Sequence, residues 1–160
     1  MSPAPLIDAS NFQVAPKLVG DDDEDTRRLR WLAVEADAFV RSQSWAPPLE
    51  NLYLAFGVGG VIGLFLARFT RGIGGQGRGD LEVWVVVGDM PMIYFETEDS
   101  PTPAHALETY CCIAEQWADH IIAGSGVSEC YPIPVEPTRE HAEMLKSRIA
   151  SIREMFIPIA

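Results

Sequence analysis

Residues 81–122 decide the fold, and they read LEVWVVVGDMPMIYFETEDSPTPAHALETYCCIAEQWADHII. The valines at 83, 85 and 87 alternate with Glu82, Trp84 and Val86, which is the period of two expected for a strand with one wholly apolar face. Residues 88–91, Gly-Asp-Met-Pro, are typical of a chain reversal, so residues 92–95 are expected to return as an antiparallel strand. The first half of this stretch therefore predicts a β-hairpin.

The second half of the same stretch predicts a long amphipathic helix. Thr102 is a favourable N-cap, and Pro103 follows it at the first helical position, where a missing N–H costs nothing. Apolar residues then recur at helical spacing and form one stripe. These residues are Leu107, Tyr110, Cys111, Ala114, Trp117, Ala118 and Ile121.

Residues 51–70, NLYLAFGVGGVIGLFLARFT, are compatible with three structures. An uncharged run with glycines four residues apart could form a short membrane helix. Residues 57–63 could instead cradle a pyrophosphate at the start of a helix. A β-hairpin with its turn at residues 57–60 is favoured, because glycines supply the positive φ angles of a turn and because the next segment is also a hairpin.

The remaining segments complete an α+β pattern. Prolines in residues 1–20 indicate an extended arm, within which residues 11–14 could add an edge strand. The acidic run at residues 21–25 precedes a helical pattern and is most simply explained as capping. Residues 72–79 are glycine-rich and indicate a connector, and Thr138 caps a last helix. We expect one globular domain over residues 1–160, with a largely antiparallel four- to five-stranded sheet of two hairpins and three helices packed on it.

The charge of the chain is strongly asymmetric. Its formal net charge is −11, and residues 79–138 contain eleven acids and no Lys or Arg, whereas the remainder balances twelve acids against twelve bases. Nucleic acid is not expected as a ligand, because phosphates are bound by concentrated Lys and Arg. A basic protein partner is the better expectation.

The cysteines and the N-terminus favour the cytoplasm. Three cysteines, two of them adjacent at Cys111 and Cys112, do not form a disulfide framework, so reduced thiols are expected. The first residues lack a basic segment followed by an apolar one, so no signal peptide is expected. The uncharged run in residues 51–70 is interrupted by glycines and closely followed by Arg68 and Arg71, so no membrane association is expected either.

Several residues could form a binding surface. His105, Glu108, Cys112, Glu115 and Asp119 share one face of the predicted helix, where they could ligate a metal but lack the tight spacing of a zinc site. A solvated face is the simpler interpretation, and neither a metal nor another cofactor is expected. Trp84 is either covered core or an aromatic anchor among glutamates. The expected partner-binding residues are Glu82, Trp84, Asp89, Glu96, Glu98, Asp99, Glu108, Glu115 and Asp119.

The sequence also resembles a group of small bacterial proteins. VWVVVGDMPMIYF, SPTPAHALETYCCIAEQW and PTREHAEMLKSRIASIRE, within residues 81–158, are similar to acidic immunity or accessory proteins found beside secreted antibacterial toxins. The resemblance implies a non-enzymatic immunity protein that binds and neutralises a basic toxin domain. The alternatives are a small enzyme or ligand-binding domain with a pocket between sheet and helices, and a structural subunit of a bacterial assembly.

Overall fold

A computed structural model of the protein describes residues 6–73 and 81–160. Their contacts group into two compact units, Met1–Pro101 and Thr102–Ala160. The expected α+β class is confirmed, because the described residues form three α-helices and a five-stranded antiparallel sheet. The expectation of one domain over the whole chain stays a prediction. Most of the predicted connector at residues 72–79 lies outside the described residues.

The sheet of the first unit consists of two hairpins and one short edge strand. Neighbouring strands are antiparallel throughout, in the order β1-β2-β3-β4-β5. The strands are β1 Gln13–Val14, β2 Leu49–Val58, β3 Ile62–Phe69, β4 Glu82–Gly88 and β5 Ile93–Glu96. Residues 51–70 therefore form the predicted hairpin, and the arm contributes the predicted edge strand. The turn of this hairpin is at residues 59–61 and not at 57–60, because Gly57 and Val58 still pair with β3. A dinucleotide site at residues 57–63 is wrong, because β2 turns back into an antiparallel strand where that site needs a strand-to-helix turn.

The turns of the two hairpins lie side by side at one end of the sheet. Gly88 has a φ of +133°, and a Cβ atom at this position would lie 2.3 Å from the carbonyl oxygen of Val61. The next residue, Asp89, donates its backbone N–H to that same carbonyl at 2.9 Å. A side chain at residue 88 would force the turns apart, so glycine holds them together here.

Helix α1, Asp23–Arg41, covers one face of this sheet. Asp22 caps the helix by accepting a hydrogen bond from the backbone N–H of Asp25 at 2.7 Å, which confirms the expected capping role of the acidic run. The face of β4 that α1 covers is the predicted valine face. The buried residues of α1 are Leu29, Leu32, Ala33, Ala36 and Val40.

The second unit is a helical pair. Helix α2, Pro103–Ile122, begins at the predicted Thr102 cap, whose hydroxyl accepts from the backbone N–H of His105 at 3.2 Å. Helix α3, Arg139–Ser151, begins at Thr138 in the same way and continues into a π-helical turn at Ile152–Phe156. Helices α2 and α3 pack against each other. Among the helices of residues 6–73 and 81–160, none combines the length and apolar character needed to cross a membrane.

Candidate functional site

Glu82 lies beneath the N-terminal arm and is not displayed on the surface. Its Oε1 accepts a hydrogen bond from the backbone N–H of Ile7 at 2.6 Å, and its Oε2 accepts one from Nη2 of Arg68 at 3.0 Å. Glu82 is 1% exposed. The expectation that it belongs to a docking surface is therefore wrong, because its carboxylate is used inside the first unit.

Trp84 is also part of the core. It is fully buried, and its indole N–H donates to the carbonyl oxygen of Ser100 at 2.8 Å. The ring of Phe12, from the arm, lies 6.3 Å from it between centroids. Of the two interpretations of Trp84, covered core is confirmed and the exposed aromatic anchor is wrong, because both its ring and its N–H are satisfied within the fold.

The acids of α2 share one face as expected, but basic residues of the same unit bind them. Nη2 of Arg153 lies 2.9 Å from Oε1 of Glu108, and its Nη1 lies 2.7 Å from Oε2 of Glu115. Lys146 binds Asp119 at 2.6 Å. Hydrogen bonds to Glu108 and then to Glu115 raise the pKa of Arg153 above its usual range. These carboxylates therefore hold the helices of their own unit together, and the two bases offset part of their negative charge.

The other expected acids are exposed, and they lie at opposite ends of the sheet. Asp89 is in the turn between β4 and β5, beside the β2–β3 turn. Glu96 is at the far end of β5, opposite Val83, and Glu98 and Asp99 follow it. Because β5 separates them, Asp89 and the acids at 96–99 form two surfaces and not one.

A groove of about 510 Å³ lies between α1 and the two hairpin turns. Trp31 is 63% exposed and lines the groove. Successive helical residues turn by about 100°, so Trp31, two residues after the buried Leu29, points away from the core. The groove is lined by Glu24, Arg27, Arg28, Trp31, Leu32, Glu35, Gly60, Gly88 and Asp89.

The charges in this groove are arranged around Glu24. This carboxylate accepts a hydrogen bond from Nε of Arg28 at 3.0 Å and also binds Arg27. The bond from Arg27 is the main reason that the pKa of Glu24 lies below its usual range, so Glu24 is ionised at neutral pH. One carboxylate thus serves both guanidinium groups, while Glu35 and Asp89 supply two more negative charges to the lining.

The glycines of the β2–β3 turn allow α1 to approach closely. A Cβ atom at Gly59 would lie 2.6 Å from Oδ1 of Asp25, and Arg28 lies across Gly60. The carboxylate of Asp25 therefore occupies the space above the turn, where it repels a phosphate group.

Sequence reasoning did not single out Trp31 or Glu35. The signal that identifies Trp31 is its position away from the stripe Leu29, Leu32 and Ala36, since a large aromatic residue on the outer face of a helix has no core to enter. Within residues 6–73 and 81–160, no group of three or more His, Cys, Asp and Glu side chains is arranged to hold a metal ion.

No model of a known protein family matches this chain, and no curated protein or solved structure matches it significantly. The resemblance to toxin-immunity proteins thus depends on the quoted residues alone and stays a hypothesis.

Proposed function

We propose that this chain is a non-enzymatic binding protein whose partner is a basic protein. The observation that carries the proposal is the groove in which the exposed Trp31 lies with Glu35 and Asp89. Tryptophan is among the residues that contribute most to protein interfaces, and an exposed one beside carboxylates suits a cationic side chain. From the sequence, an exposed aromatic residue among carboxylates was predicted at Trp84. In the structure this arrangement occurs at Trp31.

The charge of the first unit supports the same partner. Its described residues, 6–73 and 81–101, contain fourteen acids and seven bases, a formal charge of −7. Such a field accelerates the encounter with a positively charged protein, while buried aromatic contacts slow its dissociation. The acids at 96–99 contribute to this attraction from the other end of the sheet, as long-range charge and not as contacts in the groove.

The more specific proposal is an immunity protein that acts in the cytoplasm of a bacterial cell. There it binds a toxin domain before secretion and blocks it by occupying its surface. A groove of this volume is also in the range of small-ligand pockets, which favours a small-molecule binding domain as the second candidate. The described residues that line the groove include no Ser, Thr, Cys or His.

The test is direct binding to a toxin domain encoded beside the gene. We expect a stable complex whose association rate falls as salt concentration rises, because attraction between charged surfaces is screened over about 10 Å at 0.1 M salt. Co-expression should also restore growth to cells that produce the toxin. A neighbouring toxin that the chain neither binds nor neutralises would refute the immunity role, and a complex with a salt-independent association rate would refute the electrostatic contribution.

A further inference from the structure

The outer surface of α1 carries a second stripe of residues, opposite the buried one. Its apolar members are Trp31, Val34 and Ala38, of which the first two are 63% and 60% exposed. Charged residues continue the stripe at both ends, and its members recur at alternating steps of three and four residues, which is the spacing of a coiled-coil seam. This outer stripe consists of the exposed residues Glu24, Arg27, Trp31, Val34, Ala38 and Arg41.

We infer that the outer stripe binds the outer stripe of a second copy of this chain, with the two α1 helices antiparallel. This inference goes beyond the proposed function and does not depend on it. Packing of Trp31 on Val34 of the second copy fixes the register of the two helices. In that register Glu24 faces Arg41 of the second copy, and two-fold symmetry repeats each contact. The apolar centre of the stripe is therefore covered, and its charged ends meet opposite charges.

The order of charges along the outer stripe selects the antiparallel orientation. In the antiparallel pair Arg27 faces the small side chain of Ala38. In a parallel pair each residue would face its own counterpart, so Arg27 would face Arg27, and both Glu24 and Arg41 would also face like charges. Like charges repel at this distance, whereas opposite charges attract. The same order favours a second copy over an unrelated helix, because the reversed stripe is its own complement.

The edges of the outer stripe are complementary in the same orientation. Arg28 and Glu35 lie along one edge of the stripe, and Arg30 and Asp37 lie along the other. Equivalent edges meet in an antiparallel pair. Arg28 therefore approaches Glu35 of the second copy, and Arg30 approaches Asp37 of the second copy. Each of these contacts joins opposite charges.

Two of these edge residues gain an ionic partner that their own chain does not provide. Within residues 6–73 and 81–160, neither Arg30 nor Glu35 takes part in an ion pair. The Nε of Arg30 donates instead to the carbonyl oxygen of Leu18 at 2.9 Å. Arg28 and Asp37 already bind oppositely charged residues of α1, so the new contacts add little affinity and mainly set the orientation of the pair.

The size of the outer stripe indicates a weak dimer. From Glu24 to Arg41 the stripe is about 26 Å long, at a rise of about 1.5 Å per residue, and only its centre is apolar. Interfaces that bury less than about 1,200 Å² are typical of transient complexes, so we expect a dissociation constant of about 100 μM. At about 2 μM nearly all chains are then monomers with Trp31 exposed. Because Trp31 also lines the groove, a second copy and a basic partner compete for it.

Sedimentation equilibrium of the full chain measures this association. Between about 5 and about 500 μM protein, we expect a shift from monomer to dimer. Val34→Ser should weaken the dimer by about tenfold, because it removes an apolar contact that symmetry repeats. The temperature of unfolding should stay the same, since Val34 is exposed.

Arg28→Glu and Glu35→Arg, made in separate chains, test the orientation of the pair. Each variant alone places like charges along one edge and should weaken the dimer by about fivefold. An equal mixture of the two should form a heterodimer about as tight as the unaltered dimer, because opposite charges meet again along that edge. Arg71→Glu and Glu50→Arg are the matched controls, since they make the same charge changes at exposed positions outside α1. These two should leave the association unchanged within about twofold, alone or mixed.

A chain that stays monomeric at every concentration would refute the inference, and so would a dimer that Val34→Ser leaves unchanged. Failure of the mixed variants to recover the dimer would overturn the antiparallel orientation, because a parallel pair brings Arg30 of one copy to residue 35 of the other. The proposed function does not depend on any of these results, since binding to a toxin is measured separately.

Discussion

Arg68 and Glu82 form an ion pair inside the first unit, with Nη2 of Arg68 3.0 Å from Oε2 of Glu82 and side chains that are 17% and 2% exposed. Both partners also bind the backbone of Ile7, whose N–H donates to Glu82 and whose carbonyl oxygen accepts from Arg68 at 2.8 Å. The guanidinium lies over the ring of Tyr53 at 5.2 Å from its centroid. A charged pair thus fixes the N-terminal arm against the sheet.

Removing one member of this pair should destabilise the fold. Glu82→Gln leaves the partly buried guanidinium of Arg68 without its counter-charge, and we expect the free energy of unfolding to fall by about 3 kcal/mol. Urea denaturation measures the change. Glu96→Gln, an exposed position on the neighbouring strand, is the control and should change stability by less than about 0.5 kcal/mol. Arg68→Met and Glu82→Leu, made singly and together, measure the coupling of the pair. If the double variant loses as much free energy of unfolding as the two single variants added together, the pair is not coupled.

Reversing the charge of the exposed acids should slow partner binding without unfolding the chain. Glu96→Lys with Glu98→Lys is expected to alter the free energy of unfolding by at most about 1 kcal/mol, since both side chains are exposed. Association with the toxin should slow at low salt, and the difference should shrink at high salt. Glu115→Lys places a positive charge beside Arg153. It should therefore lower the free energy of unfolding more than it weakens binding to the partner. Unchanged association rates in the double reversal at both salt concentrations would contradict the electrostatic proposal.

Trp31 should dominate the solvent-accessible fluorescence of the protein. All four tryptophans are among the described residues: Trp84 and Trp117 are buried, Trp45 is half-buried, and Trp31 is 63% exposed. Trp31→Phe should therefore remove most of the emission that acrylamide quenches and shift the remaining emission to shorter wavelength. Stability should change by less than about 0.5 kcal/mol, because the ring lies outside the core. Quenching as strong as in the unaltered chain would contradict the exposure of Trp31.

Cys112 should be the first thiol to react in the native protein. Cys112 is exposed, whereas Cys111 and Cys130 are buried. Partial burial, followed by the charge of Glu108, raises the pKa of Cys112, so alkylation at pH 8 should be slower than that of free cysteine. Glu108→Gln should speed the reaction and Arg153→Met should slow it further. Denatured protein should show three free thiols, and a count of one would reveal a disulfide.

Stability should fall at alkaline pH because of two adjacent core residues. Burial raises the pKa of Cys111 from 9.0 to about 12 and raises that of Tyr110 above its usual 10.0. Above pH 9 the unfolded chain releases protons that the folded chain retains. The stabilisation is therefore complete below pH 9 and is lost as pH rises toward 12, at about 1.4 kcal/mol per pH unit for each titrating group. The free energy of unfolding, measured with urea, should fall less steeply between pH 9 and pH 10 in Cys111→Ala than in the unaltered chain. An equally steep fall would refute this origin.

Local sequence patterns were sufficient for most of the secondary structure. Gly60, with its positive φ in the turn between β2 and β3, and the caps Thr102 and Thr138 specify where strands and helices reverse or begin, because hydrogen bonds and φ preferences act over a few residues. The shared face of Glu108, Glu115 and Asp119 follows from helical periodicity in the same way.

Accessibility of the candidate site was decided by tertiary structure. Glu82 and Trp84 alternate with the valines of their strand, a pattern typical of an exposed face. The arm nevertheless brings Ile7 to the carboxylate and Phe12 to the indole ring, each from more than seventy positions away in the sequence. Arg153 reaches Glu108 across forty-five positions. Trp31 becomes part of a groove because α1 lies against two turns that are distant in sequence. Periodicity thus determined which residues share a face, whereas the packing of distant segments decided which of those faces meet water, because burial and charge neutralisation depend on neighbours in space.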